Sequence, residues 1–154
     1  MTSLVFVPLE PAELRAWAEA GRLAGPHGGY AVTPAMAGAF GLDDPGSEEA
    51  EYTALCVASV AGLVAHGVRI VAVAQAEPVV SEDEFGGVLV TDLRFTAVTS
   101  LFGEDPDDGP ARAAVAAVAG LSLAEAWEIP AVTSLLADTD LLWYGPGEWQ
   151  VLAG

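Results

Sequence analysis

Between Tyr52 and Val68 the chain carries no formal charge, counting histidine as neutral, and this stretch constrains the fold more than any other. Within it Tyr52, Leu55, Cys56, Ser59, Val60 and Leu63 recur at the i, i+3, i+4 spacing of a helix. Val57 and Val64 carry apolar character around the back, so the helix must lie deep in the fold. Ser47 stands where a cap belongs, and Glu48, Glu49 and Glu51 fill the first turn, where negative charge complements the macrodipole. His66-Gly67 closes it, with histidine near the last carbonyls and glycine at the left-handed position. The uncharged length touches the lower limit of a membrane span. Gly67 and Arg69 interrupt it, however, and acids rather than basic residues flank it. The reading is a long buried helix near 47–66.

Other segments are punctuated as clearly. Leu4–Leu9 reads as a buried strand, and Pro11 starts a helix that carries Leu14, Trp17 and Ala18 up to Gly21. Gly25–Gly29 reads as a loop and Tyr30–Thr33 as a short strand. Thr33-Pro34 opens a helix that Gly41 ends. Arg69–Gln75 is rich in β-branched residues and reads as an interior strand. Glu77–Glu84 is expected as an acidic loop. From Val88 to Leu101 the chain alternates, with Leu89, Leu93 and Leu101 on one face and Asp92, Arg94 and Thr96 on the other. That run is too long for one strand, so it bends or divides. Pro110 begins a helix that Gly120 terminates. Ser122 and Glu125 have the capping-box spacing of another helix start, Pro130 breaks that helix and starts the next turn, and Leu141–Tyr144 reads as a final strand. The expectation is one domain over 1–154, α/β or α+β, with a mixed β-sheet packed with helices.

Composition then removes whole classes of chemistry. The chain has 154 residues, five arginines and no lysine against 22 acids, for a net charge of −17. Without lysine there is no Schiff base and no phosphate loop ending in G-K-[ST]. Scattered arginines on so negative a chain cannot neutralise a phosphate backbone, so nucleic acid is excluded as a partner. The same field attracts a basic protein. A single cysteine, Cys56, excludes an internal disulfide and paired-cysteine zinc sites, and its apolar neighbours mark a buried thiol. The short N-terminal apolar run lacks a basic leader, so the expected location is the cytoplasm, with no membrane contact.

No catalytic signature is present. An EF-hand begun at Asp105 would need glycine where Pro110 stands and glutamate where Ala116 stands. The segment 103–109 is therefore an acidic turn whose Asp108 or Gly109 caps the next helix, and neither a metal nor a cofactor is expected. Among the carboxylates Asp43, Asp44, Glu48, Glu49 and Glu51, the last, with Tyr52, is placed to turn toward a pocket. His27 lies between glycines without a visible partner. Asp92 and Arg94 share a strand face, an arrangement that can anchor a carboxylate or phosphate or simply be a surface ion pair. Trp143 and Tyr144 fall on opposite strand faces, one inward and one available to an interface.

Three segments together resemble an uncharacterised family of small acidic actinobacterial proteins, a domain of unknown function. They are Tyr30–Ala35, Glu48–Leu55 and Leu141–Tyr144, in matching order and rough spacing. The resemblance implies an intracellular α/β-type protein and transfers no active-site residue. The functional expectation is a non-enzymatic interaction or structural protein, acting as a homodimer or with a basic protein partner, with Glu51, Tyr52, Asp92, Arg94, Trp143 and Tyr144 as binding residues. The alternative is a small-molecule-binding domain or enzyme drawing a polar site from His27, Glu51, Asp92 and Arg94. That alternative requires at least three of those four to converge on one pocket.

Overall fold

The structure, a computed structural model, describes residues 2–23, 25–104 and 109–153. Strand β1 (Ser3–Pro8) leads into α1 (Pro11–Ala20), β2 (Arg22–Leu23), β3 (His27–Tyr30) and α2 (Pro34–Phe40). The long helix follows as α3 (Glu48–His66), then β4 (Ile70–Ala76), β5 (Val79–Val80), β6 (Gly87–Val90), β7 (Leu93–Arg94) and β8 (Val98–Gly103). After α4 (Gly109–Val118), α5 (Leu123–Trp127) and α6 (Pro130–Asp138) come β9 (Leu142–Tyr144) and α7 (Trp149–Ala153).

The helix ends follow the local chemistry. Thr33 Oγ1 accepts the Met36 amide and Ser47 Oγ accepts the Ala50 amide, each at 3.1 Å. Gly41 and Gly67 take the left-handed position after α2 and α3. Ser122 and Glu125 exchange the two bonds of a capping box at 3.2 and 3.1 Å. The expected cap at Asp108 and the core of the acidic turn, Asp105–Asp108, lie outside the described residues.

Seven strands pair in the order β5-β6-β3-β1-β4-β8-β9, and β2 pairs with β7 separately. All the described pairings are antiparallel, so the α+β alternative applies and no parallel pair mixes into the sheet. One face, carrying Val5, Val7, Ala72 and Leu101, packs against Leu14 and Trp17 of α1, with α7 beside them. The other face, carrying Phe6, Val71 and Val73, packs against Ala54, Leu55 and Ala58 of α3. Beyond α3, Val60 and Leu63 meet Ala114, Val118, Val132 and Leu135 of α4 and α6. The long helix is therefore covered from both sides, and this is why it is apolar all round. Among the described residues no helix is long and apolar enough to cross a membrane.

Local readings are refined at three places. His27-Gly28-Gly29 is strand rather than loop: a Cβ on Gly29 would lie 2.8 Å from Val5 Cγ1, so glycine lets β3 sit tightly on its neighbours. The run after Val88 divides at Asp92, which adopts a left-handed backbone with φ 54°. That residue resets the alternation. Val88 and Val90 point inward and Leu89 is exposed, while Leu93 and Leu101 remain buried. The expected acidic loop after β4 also contains the short edge strand β5.

Candidate functional site

A seven-stranded sheet at about 4.8 Å per strand is roughly 29 Å wide, whereas one helix is only about 10 Å across. Helix α3 packs chiefly over β1 and β4, the centre of the sheet. It thus leaves a groove on each flank. One lies over β3, β6 and β5 and has a volume of about 490 Å³. The other lies toward β8 and β9 and has a volume of about 460 Å³.

The second groove concentrates the polar chemistry. Its floor is mainly apolar, built from Leu4, Phe6, Val73 and Phe102 of the sheet with Leu55 and Leu141, and Thr99 and Ser100 of β8 add hydroxyls beside them. Its rim holds Glu48, Glu51 and Tyr52 from the start of α3, and Asp140 from the turn before β9. The capping geometry at Ser47 fixes which way these helix residues face. No arginine lines this groove among the described residues. The nearest buried one, Arg69, is turned to Glu104 at 2.9 Å and Thr139 at 3.3 Å. Three carboxylates thus face an apolar floor.

Register brings a fourth element to the same place. Phe102 of β8 pairs with Trp143 of β9, and directly paired residues share a sheet face. Trp143 therefore stands on the groove side, 62% exposed, on the outermost strand. Tyr144 pairs with Leu101 and packs into the opposite core. The inward–outward split expected for this pair is thus observed, with Trp143 outward.

Neighbouring groups hold the Tyr52 phenol on the rim, and the Cys56 thiol one helical turn beyond it, in their neutral forms. The Tyr52 hydroxyl donates to Asp140 Oδ1 at 3.3 Å. Its pKa is pushed up to about 12, first by the adjacent Cys56, then by burial and by Asp140, all of which oppose a phenolate. Burial also raises the Cys56 thiol, against the opposing effects of Tyr52 and Arg69. A protonated phenol and a protonated thiol donate hydrogen bonds but offer no nucleophile at neutral pH.

The remaining predicted residues lie elsewhere. Asp92 and Arg94 line a third surface depression of about 450 Å³. There Asp92 pairs with Arg22 at 2.7 Å, because Arg22 is the cross-strand partner of Arg94 and β2 brings it alongside. His27 borders the groove over β3, β6 and β5. His27, Glu51 and the Asp92–Arg94 pair accordingly occupy three different places and do not converge. Two contributors escaped the sequence reading, Asp140 on the rim of the acidic groove and Glu13, whose carboxylate lies 3.3 Å from His27 Nε2. Asp140 sits in a polar turn with no periodicity to mark it, and Glu13 lies on a helix face whose spacing signals only solvent exposure.

Comparison with known proteins adds one finding. A family model described as a family of unknown function (DUF6912) matches residues 4–153. No curated protein and no solved structure matches.

Proposed function

The chain belongs to that family of unknown function, and from the acidic groove we propose that it is a non-enzymatic interaction protein that captures a cationic, extended segment of a partner protein. The observation that carries this reading is the rim of Glu48, Glu51 and Asp140 around an apolar floor, beside exposed Trp143 on an edge strand. A basic segment pairing with the free edge of β9 would project alternate side chains onto the groove face. A lysine or arginine there meets the carboxylates with its head and the apolar floor with its stem. Trp143 adds a ring face worth about 0.5–1 kcal/mol to an exposed cation. A second copy of the chain fits this surface less well, because it would bring two chains of charge −17 together at three carboxylates.

The test titrates a ten-residue peptide alternating lysine and valine, read by tryptophan fluorescence and backbone NMR. Three exposed charge contacts at about 0.5–1 kcal/mol each amount to about tenfold or more in affinity. Glu48→Gln/Glu51→Gln/Asp140→Asn should lose that factor, while Glu82→Gln/Glu84→Gln/Glu128→Gln, with the same net charge, should lose little. Equal losses in the two triple variants would mean a general field effect and would overturn the proposal. So would a stable dimer whose interface covers β9.

A further inference from the structure

The two histidines of the chain meet at one carboxylate. Glu13 of α1 presents Oε2 to His27 Nε2 at 3.3 Å and Oε1 to His66 Nε2 at 3.6 Å. Glu13 Oε1 also accepts the Glu10 amide at 3.2 Å, which ties the carboxylate to the start of the helix. His27 Nδ1 lies 2.8 Å from the Gly28 carbonyl oxygen. Three elements distant in sequence thus converge on one group, and all three side chains are less than one-third exposed.

Both imidazoles line the groove over β3, β6 and β5, away from the acidic groove. Its walls are otherwise apolar, with Pro8, Ala61 and Ala65 on one side and Val79, Val80 and Leu89 on the other. The last three are more than half exposed. Over the floor at Gly28 there is open space, since a Cβ there would meet nothing within 4 Å. A volume of about 490 Å³ is that of a small-molecule site.

The triad also selects the chemistry of the occupant. The Glu13 carboxylate stands 3.6 Å from His66 Nε2, an electrostatic contact that favours the Nε2–H tautomer of the neutral ring; Nδ1 is then an acceptor, and it makes no hydrogen bond among the described residues. That acceptor calls for a donor on the ligand. An anion finds no lysine or arginine in the groove, and a cation would be stripped of water against apolar walls while Glu13 is already engaged. We propose that this groove binds a neutral molecule with an apolar body and a hydroxyl head, the hydroxyl donating to His66 Nδ1. Glu13 is then a positioning residue that fixes the tautomer.

The experiment uses the full chain with 15N-labelled histidine at pH 8, titrated separately with 1-hexanol, hexanoate and hexylammonium. Two imidazoles give two resolved signal sets, and the 15N shifts report each tautomer. His66 should show protonated Nε2 and bare Nδ1, and 1-hexanol should move its signals saturably. The two charged probes should bind at least tenfold more weakly. His66→Ala should weaken hexanol by about fivefold, the factor of one neutral hydrogen bond. Gly28→Val, which fills open space on a strand, should abolish binding with an unchanged far-UV spectrum. Glu13→Ala should mix the His66 tautomers. Absence of a saturable shift, equal binding of a charged probe, or undiminished binding to a folded Gly28→Val variant would each overturn the proposal.

Discussion

Truncating Trp17 is the most direct test of how α1 holds the sheet. The side chain is 1% exposed, stacks edge-on against Phe95 at 5.3 Å, and donates its indole N–H to the Leu93 carbonyl at 3.0 Å. A buried tryptophan removes about 150–250 Å² from water, worth roughly 4–6 kcal/mol at about 25 cal/mol per Å². Deleting the donor also strands a carbonyl, at about 1–3 kcal/mol. Partial collapse of the site offsets part of the sum, so Trp17→Ala should cost about 5 kcal/mol, the upper end of the usual range. In a domain of this size that lowers Tm by roughly 10–20 °C. Trp17→Phe keeps a ring and loses mainly the hydrogen bond, for about 1–3 kcal/mol. Urea unfolding followed by far-UV circular dichroism measures both. Glu13 lies one turn earlier on α1, so loosening this helix should also move both histidine signals. A loss below about 2 kcal/mol for the alanine variant would refute this account of α1 packing. A phenylalanine variant as damaged as the alanine one would refute the division between ring and hydrogen bond.

Other positions give sharp expectations. Gly86 has φ +80°, and an added Cβ would clash with the Ala31 carbonyl oxygen, so Gly86→Ala should cost well over about 1 kcal/mol in the same unfolding assay. Ultraviolet titration of the phenolates should show Tyr52 ionising near pH 12, and Cys56→Ala should bring it down toward 10. Because the folded value is raised, the associated stabilisation is present below pH 10 and is lost as pH rises from 10 to about 12. Glu125 titrates below its ordinary 4.5, since the Ser122 amide and hydroxyl bond its charged form. Its stabilisation is therefore present above pH 4.5 and is lost as pH falls through the lower folded value, a dependence that Glu125→Gln should flatten in acid unfolding curves.

Much of the architecture was legible in order of sequence because the interactions that set it are short. Caps at Thr33, Ser47 and Ser122, and left-handed glycines at 41 and 67, act within four residues of where they stand. The uncharged helix announced its own burial by composition. The strands were harder. Alternation tells which residues share a face only while the backbone stays extended, and Asp92 ended that condition without any change in hydrophobic pattern. Gly28 and Gly29 read as a loop because glycine weakens a strand, whereas here the tight seat beside Val5 requires glycine at position 29.

By itself, then, the sequence determined the helices before β9, though not α7, together with the depth of α3, the negative field, and the opposite facing of Trp143 and Tyr144. Tertiary structure alone decided which strands are neighbours, and with that which face of β9 borders the acidic groove. It also decided that Asp92 pairs with Arg22, and that Glu13 reaches both histidines. Helix periodicity and capping are encoded in the few residues that make each contact. A strand carries no mark of its partner, because any apolar strand offers the same backbone donors and acceptors, and the pairing is selected only when all the buried faces must close at once.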